Sequence, residues 1–235
     1  FKGTEDLGGG LKAVFNLESD FAADTGGQRF TGALNPFGRQ ANVGVSAGWG
    51  TVLLGRQYSP ALIAELGVEP RGYKESHSGL LTFALGQAPS GNTGAEATPS
   101  RNNFLGIFTG NMISYSGSFG PVSVGAGYGL GENLNGGGGR TVSLGASFAG
   151  PITVAGSYQQ IEGAADAETT RFAVGVAVPF GMMTGKIHFH RSTEDNLAGA
   201  EVRETDNLGV GVDIRWNAQN TATIAYYYGK DDGVT

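Results

Sequence analysis

Along most of this chain apolar residues recur at every second position, in blocks about ten residues long, the length of a strand that crosses a bilayer. Phe172, Val174, Val176 and Val178 alternate with Arg171, Ala173, Gly175 and Ala177. Leu208, Val210, Val212, Ile214 and Trp216 alternate with Asn207, Gly209, Gly211, Asp213 and Arg215. Ile187 and Phe189 alternate with Lys186, His188 and His190; Val142, Leu144, Ala146 and Phe148 alternate with Thr141, Ser143, Gly145 and Ser147. A period of two marks strands with unlike faces. One face is bulky and apolar, the other small or polar. The pattern predicts twelve strands, at about 1–5, 11–19, 39–47, 51–58, 110–118, 122–130, 141–149, 152–161, 170–179, 183–192, 206–216 and 221–229.

Short and long connections take turns between these strands. Tight turns fall at Asp6–Gly9, Ala47–Gly50, Ser118–Pro121, Phe148–Pro151, Pro179–Gly181 and Trp216–Asn220. Polar loops fall at about 20–38, 59–100, 131–139, 162–169 and 193–205. This exchange predicts an all-β fold, a transmembrane antiparallel up-and-down β-barrel. A soluble β-sandwich also alternates, but it has no regular exchange of turn and loop, and large residues fill its inner face. Here small residues crowd one face, as beside a water-filled lumen or in a tightly packed interface. Tyr58, Phe119, Tyr128, Phe148, Tyr158, Phe180, Trp216 and Tyr226 to Tyr228 gather near strand ends, where aromatic girdles meet the membrane interfaces.

Composition narrows the function classes. The chain has 235 residues, 42 Gly, no Cys, 15% charged residues and a formal net charge of −6. No stretch reaches the roughly 18–20 consecutive apolar residues of a membrane-crossing helix; the longest apolar run, Phe172–Phe180, contains Gly and Pro. Without Cys there is no disulfide framework and no thiolate metal site. Mild acidity argues against nucleic acid, which calls for clustered Lys and Arg. No Ser/His/Asp set can be assembled. The stretch GENLNGGGGR (131–140) leads into neither a helix nor a Lys-Ser/Thr pair, so it is no phosphate cradle. The expectation is a chain without enzymatic activity and without a cofactor.

If long loops face outward and tight turns face the periplasm, both chain ends lie on the long-loop side. Open strand edges are not tolerated in lipid. Residues 1–235 are therefore expected to be one barrel domain, incomplete at both ends, with at least one further strand on each side.

Phe1–Phe15, FKGTEDLGGGLKAVF, is very similar to the second and third strands of betaproteobacterial general-diffusion porins. Arg39–Tyr58, RQANVGVSAGWGTVLLGRQY, resembles the next hairpin of that family, and Asn111–Glu132, NMISYSGSFGPVSVGAGYGLGE, the hairpin after its constriction loop. The resemblance implies a barrel of about 16 strands in the intact protein. It also implies a homotrimer in the outer membrane of a Gram-negative bacterium, an inward-folded third loop, and a water-filled channel for passive diffusion of ions and small hydrophilic solutes. The small residues at 39–55 would then pack at the trimer interface, and the remaining outer face would meet lipid and lipopolysaccharide.

Residues 59–100 are the expected constriction loop. An unstructured segment of about forty residues is abnormal in a compact domain unless it has a function. A short helix is predicted at Ala61–Leu66, with Leu80, Leu81, Phe83 and Leu85 as anchors to the inner wall; an external flap is the alternative. A porin eyelet sorts solutes by opposing wall cations to loop carboxylates. The resemblance implies wall cations at Arg39 and Arg101. Lys2 falls on the same inner row, and Arg56 either lines the pore or sits at the trimer interface. Counting by two groups Arg39 with Ala41, Val43 and Val45, so a bulge, or an interface strand small on both faces, is needed to turn it inward. The loop carboxylates are Glu65, Glu69, Glu75 and Glu96, the first two on one turn of the predicted helix.

Arg171, Lys186 and Arg215 line the lumen by parity, opposed by Asp213. His188 and His190 share that face. Such a pair is half of a metal site or a polar lining; with only His77 besides them, lining is the expectation, and no metal. Most acids fall in external loops, at Asp20, Asp24, Glu162, Asp166, Glu168, Glu194, Asp195, Glu201 and Glu204, where they are solvated or bridge divalent cations to lipopolysaccharide. The rivals to a general channel are a substrate-selective channel, a barrel enzyme and a plugged adhesion barrel. The missing nucleophile set and the long third loop count against the enzyme.

Overall fold

The computed structural model describes residues 1–19, 21, 23–27, 36–73, 107–131, 139–162, 168–196 and 198–233. They form a 12-stranded sheet whose order follows the chain. The strands are β1 (Lys2–Gly8), β2 (Leu11–Glu18), β3 (Gln40–Ala47), β4 (Gly50–Tyr58), β5 (Phe108–Phe119), β6 (Val122–Gly129), β7 (Thr141–Ala149), β8 (Thr153–Glu162), β9 (Glu168–Phe180), β10 (Met183–Asp195), β11 (Glu201–Arg215) and β12 (Thr221–Gly233). Every neighbouring pair is antiparallel. A helix, α1 (Pro60–Glu65), follows β4. No helix among the described residues is long and apolar enough to cross a membrane.

The period of two becomes a wall with two unlike surfaces. Phe15, Val43, Leu54, Ile113 and Tyr128 stand opposite one another from β2 to β6, and all are exposed. Val174, Phe189, Leu208 and Tyr228 make a similar row from β9 to β12. Trp49, Phe119, Phe148, Phe180 and Trp216 are exposed beside the tight turns. An apolar surface of this extent fits a lipid environment. On the opposite face Ser114, Gly127, Ser143, Gln159, Arg171, Ser192 and Thr205 form one buried row from β5 to β11. Gly120 and Gly181, at φ +61° and +62°, supply the left-handed backbone that two of the tight turns need.

The strands run further than the apolar alternation does. β10 reaches Asp195 and β11 begins at Glu201, so the loop expected at 193–205 shrinks to 196–200. The extra ladder is polar. Arg191 donates to both carboxylate oxygens of Asp206, at 2.6 and 2.5 Å, and stands 3.2 Å from Glu204. Cross-strand charge pairs hold a sheet together without an apolar face, so a hydrophobic pattern underestimates its length. Glu162, Glu168, Glu194, Asp195, Glu201 and Glu204, expected in loops, therefore belong to strands. The predicted Asp20 and Asp166 lie outside the described residues.

Candidate functional site: a strap across the inner wall

Residues 59–73 cross the small, polar face of the sheet as a strap. The Ser59 hydroxyl accepts from the Leu62 amide at 3.3 Å and caps α1, and Pro60 opens the helix where a missing amide proton costs nothing. The helix ends at Glu65. Val68 and Glu69 amides both return to the Glu65 carbonyl at 2.9 Å, so Glu69 follows one turn on from Glu65, just past the end of the helix.

Bare glycines make the seat. A Cβ on Gly145 (β7) would fall 2.4 Å from the Pro60 carbonyl oxygen and 2.7 Å from the Ala64 Cβ. One on Gly175 (β9) would fall 2.6 Å from Val68, and one on Gly211 (β11) 2.8 Å from Pro70. The Ala61 amide donates to Ser143 at 3.0 Å, and Val68 packs with Ala155 and Ala177.

Both strap carboxylates turn into the wall. Glu65 is buried; it accepts hydrogen bonds from Tyr73 and Ser157, and His188 Nε2 stands 3.2 Å from its Oε2. Burial by itself pushes the Glu65 carboxyl up, but the His188 contact, the electrostatic influence of the two neighbouring imidazoles, and the Ser157 hydrogen bond outweigh it and hold the group below the usual carboxylate value. Tyr73 stays a phenol, because burial and the neighbouring Glu65 charge push its pKa well above the usual value. Glu69 has no exposed surface. Its Oε2 accepts from the Arg71 and Tyr73 amides at 2.7 and 2.8 Å, and its Oε1 from the Tyr227 hydroxyl on β12 at 2.7 Å. Lys186 reaches the Glu69 carbonyl at 3.4 Å and pairs with Asp213 at 3.0 Å, and Thr223 donates to Asp213 at 2.6 Å.

Arg39 belongs to a second cluster, at the far ends of β2 to β5. Its Nε donates to Glu18 at 2.7 Å, its Nη2 donates to the Tyr58 hydroxyl, and its guanidinium lies 5.0 Å from the Phe108 ring centre. It precedes β3, which frees it from the parity of that strand; the bulge is elsewhere, between Gly55 and Gln57 opposite β5. Arg56 donates to the Gly38 carbonyl at 2.6 Å and lies 5.4 Å from the same Phe108 ring. Lys2 is exposed opposite Asn16, and Arg215 is exposed opposite Thr221. Arg171 is buried within the fields of Glu194 and Glu65.

The structure thus joins Glu65 to His188, and Lys186 to Asp213 and the Glu69 backbone. Arg101, Glu75, Glu96, His77 and the Leu80, Leu81, Phe83 and Leu85 anchors lie outside the described residues. Sequence reasoning missed Glu18, Tyr73, Ser157 and Tyr227. Parity puts Ser157 and Tyr227 on the inner face, but nothing local names their partner.

The family profile described as Gram-negative porin matches residues 1–235. The chain belongs to the Gram-negative porin family. Its strands are wall strands of a β-barrel of the outer membrane. An outer membrane porin protein of Bordetella pertussis is 30% identical over 210 residues, covering 84% of this chain and 52% of that protein. Outer membrane porin protein 32 of Delftia acidovorans is 34% identical over 140 residues, covering 56% of this chain and 33% of its own length. The porin chain therefore spans about half of the first relative and a third of the second. Among solved structures, the anion-selective porin from Comamonas acidovorans matches with a TM-score of 0.77 at 23% identity, over 98% of this chain and 67% of that one. Salmonella typhi OmpF, in complex with daunomycin, matches at 0.64 and 15%, over 97% and 69%. These likenesses describe porins, not enzymes, in agreement with the missing nucleophile set.

Proposed function

We propose that the protein is a passive, water-filled channel of the outer membrane for ions and small hydrophilic solutes. The two-faced wall carries this reading: an apolar outer surface suited to lipid, and a polar inner surface crossed by the strap. Residues 59–100 are read as the inward-folded constriction loop, with 59–73 as its seated part and Glu75 beyond it. Glu65 and Glu69 are turned away from water, so the wall cations, read as Arg39, Lys2 and Arg101, meet less opposing charge from the strap than free loop carboxylates would provide, although Arg39 keeps Glu18 as its partner. Arg56 is read with them. Arg171, Lys186, His188, His190, Asp213 and Arg215 form the inner wall beside and under the strap. This arrangement favours a modest anion preference at low salt.

The assembly is read as a homotrimer. A shallow apolar groove on the outer face of β2 to β4, lined by Phe15, Leu17, Ala41, Val43 and Leu54, supports a subunit contact there, with lipid and lipopolysaccharide around the rest. The test is the full-length protein in a planar bilayer. Stepwise conductance increments and a particle mass of three subunits in mild detergent are expected. A folded protein that inserts without conducting would overturn the channel, and a monomeric mass would overturn the trimer.

A further inference from the structure

Charge is spread unevenly over the inner wall. β5, β6 and β7 contain no Asp, Glu, Lys, Arg or His, whereas β9 to β11 carry Arg171, Lys186, His188 and Asp213 on that face. Above the neutral strands a cleft of about 520 Å³ opens between α1 and the inner face of β4 to β7, a size that suits a small molecule. Its roof is apolar: Pro60, Ala64 and the half-exposed Ile63 come from the helix. A Cβ on Gly125 would fall 2.9 Å from Pro60 Cβ, so bare backbone sets how close roof and wall come. The rest of the wall is rich in hydroxyls. Ser118, Ser123 and Ser147 stand in one row across β5 to β7, and Thr51 and Ser116 stand opposite each other on β4 and β5. Ser118 and Ser123 share a hydrogen bond at 2.9 Å, and Ser114 donates to the buried Gln57 at 2.6 Å. The Ser116 and Ser147 hydroxyls make no hydrogen bond among the described residues. No charged side chain lines the cleft; Arg39 and Glu18 reach its rim through Tyr58 and Gln40, their hydrogen-bond partners.

We propose that this cleft is a weak binding site for neutral polyhydroxylated solutes about the size of a hexose. That such solutes pause there in transit rests on the channel reading above; the binding itself does not. The lining chooses the class of ligand. An ion entering the cleft would shed hydration and meet no opposite charge, which is unfavourable. A sugar exchanges water hydrogen bonds for bonds to hydroxyls, each of which both donates and accepts. Ser116 and Ser147 are open for that exchange, and the Ser118–Ser123 pair can re-orient toward a ligand. A pyranose ring also has C–H faces. These leave water against Ile63 from the roof and Leu53 from β4, which both line the cleft. An apolar solute would gain the second contact and leave the hydroxyls unused; a charged one would lose hydration. Only a neutral, hydroxylated solute uses both surfaces.

The test uses the full-length protein with glucose as the probe. In a planar bilayer glucose should lower the conductance saturably, with a half-point in the millimolar range expected of so small a ligand. A polyethylene glycol of similar size, which has almost no hydroxyl donors, should lower it only in proportion to its concentration. Saturation-transfer NMR on the detergent-solubilised protein needs no current. The C–H protons of glucose should receive saturation from the protein, and those of the carboxylate analogue gluconate much less. I63S removes the apolar roof, and S116A/S147A removes two hydroxyls; folding of both is checked by heat-dependent gel mobility. Each should raise the half-saturating glucose concentration by roughly three- to tenfold. A proportional glucose response without saturation transfer, equal transfer to glucose and gluconate, or folded variants that bind glucose like the wild type would overturn the site and leave the channel reading standing. Saturation transfer to glucose in a protein that does not conduct would sustain the site and overturn the channel reading alone.

Discussion

Two stretches of the inner wall hold basic side chains, and they hold them differently. At the ends of β2 to β5, Arg39 is partly exposed, paired with Glu18 and Tyr58 and laid over Phe108. Across β9 to β11, Arg171, His188 and His190 are buried beneath the strap with Glu65 beside them. The side-chain chemistry is similar; the cover is not. A cation beside water keeps a field that a passing ion can feel. Arg39 meets the Glu18 carboxylate at the edge of water, whereas His188 meets Glu65 with almost no exposed surface on either side, and that contact becomes part of an attachment. On the proposed reading, selectivity is assigned to the first stretch and the position of the strap to the second.

The largest break in this contrast should come from Glu69. Glu69→Ala removes the acceptor of the Arg71 and Tyr73 amides and of the Tyr227 hydroxyl, and a buried group left unsatisfied costs about 1–3 kcal/mol. The strap should detach in most molecules, seen as fast labelling of a cysteine at position 68 and a change in conductance. Conductance and labelling like those of wild type would remove Glu69 from the attachment. Glu69→Gln should do less harm, since its amide oxygen still accepts.

Gly145→Val comes next. The new side chain meets the Pro60 carbonyl and Ala64, neither of which is a flexible tip. Overpacking of this kind costs about 1–3 kcal/mol, and the strap should shift while the Arg39 cluster stays intact. Calorimetry together with the reversal potential would show the separation: lower stability, unchanged selectivity. Equal changes in both would mean that the two stretches are not independent.

The third expected effect depends on pH. The Glu65 carboxyl lies below its ordinary value of 4.5, so its contribution to holding the strap is present above that pH and is lost as the pH falls through the lowered value. Labelling at position 68 should therefore rise only in that acid range, and in Glu65→Gln the acid rise should disappear. An acid rise that survives this substitution would assign the effect to another group.

The smallest effect on stability, and the one that sharpens the contrast most, is Arg39→Ala. A partly exposed pair contributes at most about 1 kcal/mol, so unfolding should hardly move. The reversal potential in a salt gradient should shift toward cations at low salt, and the shift should fade near 1 M, where the Debye length is about 3 Å. An unchanged potential at low salt would take selectivity away from this stretch.

Particular residues mark how far a reading of the sequence reaches. Counting by two separated Arg171, His188 and His190 from Phe172 and Phe189, and the ladder keeps that division. It failed at Arg39, which lies before β3 and is steered by Glu18 and Tyr58 instead of by the pleat. It also stopped short at Glu194 and Glu201, where the ladder continues without apolar residues. A helix after Tyr58 was visible, but its carboxylates were read as facing the channel arginines, and Glu65 and Glu69 meet His188, Ser157 and Tyr227.

By itself, the sequence determined the two-faced strands, their antiparallel order, the tight turns and membership of a porin family. These follow from the pleat, which sends successive side chains to opposite faces, and from connections too short to allow another path. Only the tertiary structure decided where the strap lies and what its carboxylates do. The seat exists because glycines on β7, β9 and β11 leave room where the curved sheet brings them under Pro60, Val68 and Pro70. A buried carboxylate takes its role from whatever donors surround it, and those donors come from strands far away in the chain.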